Sequence, residues 1–191
     1  MKNITFKLRE GVKSHWGNEL SANDIKWSWV RKLELGGIGG FFASIIGLNN
    51  PDQIQIVNKY VVSFKLDKPA SLILKVHRNP RNYIYDSKKI LESTNDDDPW
   101  GKKWISDNIA GFGPYKMVYL KREEKFIAEK HTEYWGKEPS IDRLVMLQET
   151  SSKKRAKLLL NKKVQIAQFL DFKDIKSLIN KPEIEIDKTQ S

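Results

Sequence analysis

Alternation of apolar and polar residues predicts strands in the first two thirds of the chain. Residues 4–9 alternate and then reach Glu10 and Gly11, which indicates a strand ending in a turn. The runs 53–57 and 60–66, separated by two polar residues, predict a hairpin. A further hairpin is predicted over 115–120 and 125–130, because a polar segment separates two alternating runs. We expect each hairpin to bury one face and expose the other.

Helical spacing and start signals predict a long helix after Ser21. A hydroxyl at Ser21 and an acid at Asp24 resemble a capping box, and apolar residues follow at helical intervals until Gly36. Shorter helices are expected over 70–76 and from Ser87. The glycine-rich segment 36–40 is expected to be a flexible connection, because neither a preceding apolar strand nor a following Lys-Ser/Thr supports a phosphate loop. The apolar stretch from Ile38 to Leu48 is expected in the core.

The last third of the chain has a different pattern. Residues 151–160 and 171–179 read as helices, residues 164–169 as a strand, and residues 183–187 as a further extended segment. Strands that alternate with helices imply crossover connections, whereas the first hundred residues favour hairpins. The predicted fold class is mixed α/β (α+β), with hairpins in mixed sheets and a lobe boundary near residues 105–112.

Charge and composition exclude several classes of protein. The 191 residues hold 34 basic and 24 acidic side chains, a net charge of +10, and no cysteine. The lysines are scattered among acids, and no helix-turn-helix, RNA-binding aromatic or zinc-finger pattern is present, so we favour a solvated surface over a nucleic-acid face. No apolar run approaches 18 residues, and the first residues lack the profile of a secretory signal.

The residues that usually carry chemistry form no recognisable catalytic motif. His15, His77 and His131 lie 62 and 54 residues apart, which is not a metal-ligand spacing. The three aspartates at 96–98 lack the alternation and the glutamate of a calcium loop, so a solvated loop or helix cap is expected. We therefore expect a binding protein with no enzymatic activity, no metal and no cofactor.

An ordered set of motifs resembles the extracytoplasmic solute-binding proteins of peptide-type ABC transporters, the family 5 or oligopeptide/dipeptide-binding proteins. Its parts lie along nearly the whole chain, and no single one decides the resemblance. The motifs are Ile4-Thr-Phe-Lys-Leu-Arg-Glu-Gly-Val12, Trp16 to Asp24, Val61 to Pro69, Asp98 to Trp104, Gly111-Phe-Gly-Pro-Tyr115, Tyr134-Trp-Gly136 and Leu158 to Ala167. Departures include Phe112 where threonine is commoner and Lys163-Val-Gln165 where the family has Gly-Glu-Ile-Asp.

The resemblance implies part of a two-lobe fold like that of type II periplasmic binding proteins. Residues 1–106 would form a partial, hairpin-rich small lobe and residues 107–191 part of the first α/β ligand lobe, with the second ligand lobe absent. Relatives are longer and carry a signal or lipid anchor, so this chain resembles an internal fragment that presents half a cleft and binds poorly. Whether such a truncation is natural stays open.

The resemblance also implies a function. The chain would belong to the substrate-binding component of an importer, which captures a peptide or related small solute outside the cytoplasm, in the periplasm or at the cell surface. It would meet membrane permease subunits and touch the membrane only through them or through an anchor. Peptide, sugar, nickel complex and opine all stay open as ligands.

Five residues are expected beside the ligand cleft. These are His77, Arg78, Asn79, Phe112 and Tyr115. For Phe112 and Tyr115 a packing role competes with this interpretation, because aromatic residues mostly pack. The alternative function is a basic interaction protein that contacts nucleic acid or acidic partners.

Overall fold

The structure, a computed structural model, describes residues 2–69, 71–77, 79, 82–179 and 181–187. Strands and helices are interspersed along the chain. The strands are β1 Asn3–Lys7, β2 Ile54–Asn58, β3 Val61–Lys65, β4 Tyr115–Lys121, β5 Lys125–Lys130 and β6 Arg143–Leu147. The helices are α1 Ala22–Leu35, α2 Gly37–Ile46, α3 Ser71–His77, α4 Ser87–Leu91, α5 Lys102–Asp107, α6 Ser152–Leu160 and α7 Phe172–Lys176, with a 3₁₀ turn at Pro51–Gln53.

In the described part of the chain two three-stranded sheets form, with strand orders β1-β3-β2 and β4-β5-β6. In the first sheet β3 lies between two antiparallel neighbours, with Phe6 opposite Val62 in one pair and Ile56 opposite Val62 in the other. A bulge follows Ile56 where the chain approaches the turn. Both predicted hairpins are therefore present.

The core lies between the first sheet and helices α1 to α3. Trp29 and Phe64 are the largest fully buried side chains, and their rings meet edge to face at 6.2 Å. The other members of this core are aliphatic or alanine side chains from both layers. They are Ala22, Ile25, Ala43, Ile46, Leu48, Ile54, Val62, Leu66, Ile73 and Val76.

The chain divides into two compact units. Residues 1–120 with 127–144 form the first unit, and residues 121–126 with 145–191 form the second. The first unit holds the core just described. In the second unit α6 and α7 pack together, and Ala156 and Leu178 are buried there.

Local signals explain where the helices begin. The backbone N–H and the hydroxyl of Ser21 both donate to Asp24 Oδ2, at 2.8 and 2.9 Å, which confirms the capping box of α1. Asp98 accepts from the backbone N–H groups of Lys102 and Lys103 at 2.8 Å each, so this aspartate caps α5 as expected. These hydrogen bonds hold the pKa of Asp98 below its ordinary value.

The predicted glycine linker is wrong beyond its first residue. Gly36 forms the connection, with a φ of 64°, but α2 already begins at Gly37. The reason is packing, because Ala43 and Ile46 of this helix are fully buried against the core. The apolar stretch is only partly core, since Ile38 and Phe41 are 58% and 61% exposed.

The strand predicted in the last third is also wrong. Residues 164–169 lack strand structure, and within the described ranges no neighbouring strand pairs with them. A strand needs a ladder partner, whereas Ile166 and Phe169 are 75% and 91% exposed. Phe169 also has a φ of 54°, which a β-strand does not allow. The pattern missed β6 altogether.

Candidate functional site

A cavity of about 360 Å³ opens in the first compact unit. It lies where the segment from β1 into α1, Ile84, the turn 111–115 and the turn after β5 come together. Its walls are almost wholly apolar. The lining residues are Arg9, Val12, Leu20, Ile25, Ile84, Phe112, Gly113, Tyr134 and Trp135. We call this cavity the Phe112 pocket.

The turn that carries Phe112 is held by hydrogen bonds on both sides. His15 N–H donates to Gly111 O at 2.9 Å, and His131 N–H donates to Pro114 O at 2.8 Å. Trp16 Nε1 donates to Ile109 O at 2.9 Å just before the turn. These hydrogen bonds hold the backbone on both sides of Phe112 in place.

Two histidine rings meet at the carbonyl of Gly113. His15 Nε2 and His131 Nδ1 lie 3.1 and 3.3 Å from Gly113 O, and both must donate because a carbonyl only accepts. The two rings pack edge to face with centroids 5.2 Å apart. Burial is the main cause that lowers the pKa of His15, and the nearby His131 and Lys116 lower it further. We call this pair the histidine clasp.

The opposite rim of the pocket carries aromatic side chains from the turn after β5. Tyr134 and Trp135 stack in a tilted arrangement with centroids 5.3 Å apart. A Cβ at Gly136 would lie 2.6 Å from Tyr134 Cε1, so only glycine leaves room for the tyrosine ring there. Arg9 Cζ lies 5.1 Å from the centre of the Trp135 ring, within range of a cation–π interaction.

The residues expected beside the cleft lie in different surroundings. Phe112 lines the pocket, and Tyr115 begins β4, where its hydroxyl donates to Ile141 O at 3.0 Å. Asn79 lies beyond α3, where its backbone N–H donates to Val76 O at 3.0 Å. Arg78 lies outside the described residues. Ligand contact by these residues stays a prediction.

His77 lies in an aromatic cluster of the core layer. Its ring stacks on Phe6 at 5.1 Å and lies 5.4 Å from the Trp29 ring. His77 Nδ1 lies 3.0 Å from Ile73 O, one helical turn back, so the nitrogen donates. Burial lowers the pKa of His77, with a smaller contribution from Lys32, which favours a neutral ring.

Sequence reasoning missed Arg9, Tyr134 and Trp135 as parts of one site. The Tyr134-Trp-Gly136 motif contributes to the family resemblance, but the motif itself does not point to a pocket. Arg9 lies 126 residues from Trp135, and no local pattern links them.

The whole chain matches one family model. Residues 1–191 match the bacterial extracellular solute-binding proteins, family 5 middle region. The chain belongs to this family. The predicted resemblance is thereby confirmed, and so is the mixed α/β fold class with antiparallel sheets.

Curated relatives of the chain carry names of peptide-binding proteins. The chain is 27% identical over 151 residues to the dipeptide-binding protein DppE of Bacillus subtilis, which covers 72% of this chain and 26% of the relative. It is 27% identical over 152 residues to the periplasmic murein peptide-binding protein MppA of Escherichia coli, covering 72% and 27%. The chain therefore spans about a quarter of the length of these relatives.

Solved structures share the fold. The Escherichia coli murein tripeptide-binding protein MppA is similar with a TM-score of 0.79 and 20% identity, over 95% of this chain and 37% of that one. DppA from Helicobacter pylori, solved with the peptide STSA, is similar with a TM-score of 0.75 and 24% identity, over 94% and 37%. No helix in the described part of the chain combines the length and the apolarity needed to cross a membrane.

Proposed function

We propose that this chain provides part of the substrate-binding component of an ABC importer. It would capture a peptide or a related small solute outside the cytoplasm and present it to membrane permease subunits. The observation that carries the proposal is the family match over residues 1–191, since this is a family of extracellular solute-binding proteins. The peptide-binding names of DppE and MppA favour a peptide over other solutes.

We further propose that residues 1–106 belong to a small lobe and residues 107–191 to part of the first ligand lobe. In two-lobe binding proteins the ligand is enclosed when lobes close around it. His77, Arg78, Asn79, Phe112 and Tyr115 would then lie beside the cleft. Phe112 is the best supported of these, because it lines a cavity of about 360 Å³.

The alternatives have less support. Several lysines of the described chain pair with nearby carboxylates, which weakens the idea of a continuous basic face. Lys59 pairs with Glu19 at 2.8 Å, Lys130 with Asp142 at 2.7 Å, and Lys89 with Glu92 at 2.7 Å. We infer no catalytic role, because the family to which the chain belongs is defined by solute binding.

Equilibrium dialysis tests the proposal. The purified 191-residue chain is dialysed against a mixture of di-, tri- and tetrapeptides, and mass spectrometry measures which peptides it retains. We expect saturable retention that is weak, because part of a cleft encloses a ligand incompletely. Phe112→Ala should reduce retention, while Phe41→Ala, which removes an aromatic ring at a 61% exposed position, should not.

Two results would count against the proposal. One is the absence of any peptide retained above the level of an unrelated protein. The other is tight binding to DNA with a log affinity that falls steeply with log salt concentration, because that dependence reports released counterions. The second result would favour the basic interaction protein instead.

A further inference from the structure

The Phe112 pocket has a cation at its rim and no anion in its lining. Val12 and Ile25 are buried at its base, and the lining residues include no carboxylate. Arg9 is the charged residue among them. Within the described ranges, the ion pairs of the chain do not involve Arg9, although several other basic residues are paired.

The guanidinium of Arg9 is held but not neutralised. Its Cζ lies 5.1 Å from the centre of the Trp135 ring, which carries no net charge. A guanidinium held by an aromatic ring rather than by an acid keeps N–H groups available for a two-pronged pair with a carboxylate. The arrangement suits a ligand that brings its own negative charge.

We propose that the Phe112 pocket binds apolar monocarboxylates. An aromatic or branched aliphatic group would fill the walls around Phe112, and the carboxylate would pair with Arg9. A volume of about 360 Å³ lies at the lower end for ligand sites, which fits one ring with a short chain. Such a group occurs both in free organic acids and at the carboxyl end of a peptide with an apolar last residue.

The inference deepens the proposed function and rests on it, since it names the chemistry that one part of a solute receptor would select. The inference nevertheless depends on fewer residues than the proposed function does. All the residues that line the pocket belong to the first compact unit. Binding at this pocket therefore needs only residues of that unit.

Isothermal titration calorimetry with paired probes tests the inference. The full chain is titrated with 3-phenylpropionate and with 3-phenylpropan-1-ol, which share a skeleton and differ in charge. We expect the acid to bind about tenfold more tightly, in the range that a charge-assisted hydrogen bond supplies. Arg9→Gln should remove that preference and leave the affinity for the alcohol unchanged.

Two further variants distinguish the effect of the Arg9 charge from the effects of overall charge and of apolar contact. Lys7→Gln removes an equal charge from an exposed position on β1 outside the pocket, and should preserve the tenfold preference. Phe112→Ala should lower the affinity for the acid and for the alcohol by the same factor, because it removes apolar contact and no charge. Circular dichroism of each variant checks that the fold is retained.

Several results would overturn the inference. These are equal affinity for acid and alcohol, an equal loss in Arg9→Gln and Lys7→Gln, and unchanged binding in Phe112→Ala. A second pair of probes, N-acetylglycylphenylalanine and its amide, distinguishes a peptide terminus from a free acid. Peptide retention that ignores Arg9 would overturn the inference and leave the proposed function in place. Arg9-dependent binding of phenylpropionate without binding of any peptide would support the inference and count against the proposed function.

Discussion

Lys32 is a buried amine without a carboxylate partner in the described contacts. It is 9% exposed, its Nζ donates to Tyr83 O at 2.8 Å, and it lies 4.5 Å from the centre of the Trp29 ring. Burial, and to a smaller extent the neighbouring Arg31, lowers the pKa of Lys32 from 10.5 to about 7. A charged amine at this position therefore costs folding free energy.

We expect Lys32→Met to stabilise the protein at pH 7 by about 1–2 kcal/mol, after the loss of one hydrogen bond is subtracted. Between a folded-state pKa of about 7 and the ordinary value of 10.5, the unfolded chain binds more protons, so the wild type gains stability as pH rises. The advantage of Lys32→Met should thus shrink from pH 7 to pH 9. Urea unfolding followed by circular dichroism measures it.

The exposed Lys88→Met is the matched control, and should leave the urea midpoint unchanged within error. A Lys32→Met variant that is less stable at pH 7 would contradict the prediction. So would an advantage that stays constant from pH 7 to pH 9, because it would mean that protonation of the amine is not the cause.

Gly47 is a glycine required by both backbone conformation and space. It ends α2 with a φ of 73°, and a Cβ there would lie 2.7 Å from the backbone nitrogen of Lys68. Asp67 N–H also donates to Gly47 O at 3.0 Å, so the strand end and the helix end approach closely here. Gly11 has a similar φ of 74°, but a Cβ at that position would meet nothing within 4 Å.

The two glycines therefore separate conformational strain from steric conflict. Gly11→Ala should cost about 1 kcal/mol from the left-handed conformation alone. Gly47→Ala should cost about 3 kcal/mol, because backbone atoms must also move. Thermal and urea unfolding of both variants measure the difference, and equal costs would show that the close approach at Gly47 relaxes freely.

At the scale of elements, Asp24 connects two helices. Beside its capping bonds in α1, its Oδ1 accepts from the backbone N–H and the hydroxyl of Ser87 at 2.9 and 2.7 Å. Ser87 is the first residue of α4, so one buried carboxylate satisfies donors at the beginning of both helices.

Asp24→Ala should destabilise the protein by about 2–4 kcal/mol, since it removes a cap and leaves buried donors without an acceptor. Glu34→Ala removes a carboxylate from an exposed position of the same helix, and should change the free energy of unfolding by less than about 0.5 kcal/mol. Urea unfolding compares the two. A cost for Asp24→Ala as small as that for Glu34→Ala would show that water replaces the lost acceptor.

The sequence predicts these elements well where the cause is local. The capping box of α1, both hairpins and the aspartate cap of α5 each depend on residues within a few positions of one another. The second role of Asp24 was not predictable, because Ser87 lies 63 residues away. The same limit applies to the Phe112 pocket, whose walls come from four separate parts of the chain.

Alternation alone failed for residues 164–169. Val164 and Ile166 alternate with Gln165, which is typical of a strand, but a strand forms only where another edge accepts its hydrogen bonds. In α2 the prediction failed in the opposite direction, because regular structure formed where a flexible connection was predicted. Glycine lowers helix propensity, yet burial of Ala43 and Ile46 compensates and the helix begins at Gly37.

At the scale of the molecule, the net positive charge and the buried histidines both lower the stability of the fold as pH falls. The chain already carries a net charge of +10 at pH 7, and each further proton adds repulsion. Burial lowers the pKa of both His15 and His77 from the ordinary 6.5. As pH falls below the folded-state pKa of about 7, Lys32 becomes protonated in the folded state as it already is in the unfolded chain, so its contribution to the slope fades.

Stability should therefore decrease from pH 6.8 to pH 5.0. As pH falls through 6.5, the unfolded chain takes up protons that His15 and His77 refuse in the folded state, so the free energy of unfolding decreases. Urea midpoints across this range measure the loss. Repulsion among exposed charges is screened at 0.5 M salt, whereas the cost of charging a buried ring is not, so part of the loss should persist in salt.

His77→Phe, which places an apolar ring beside Phe6 and Trp29, should reduce the dependence of stability on pH that remains in salt. A slope that salt abolishes completely would assign the whole effect to surface charge and none to the two histidines.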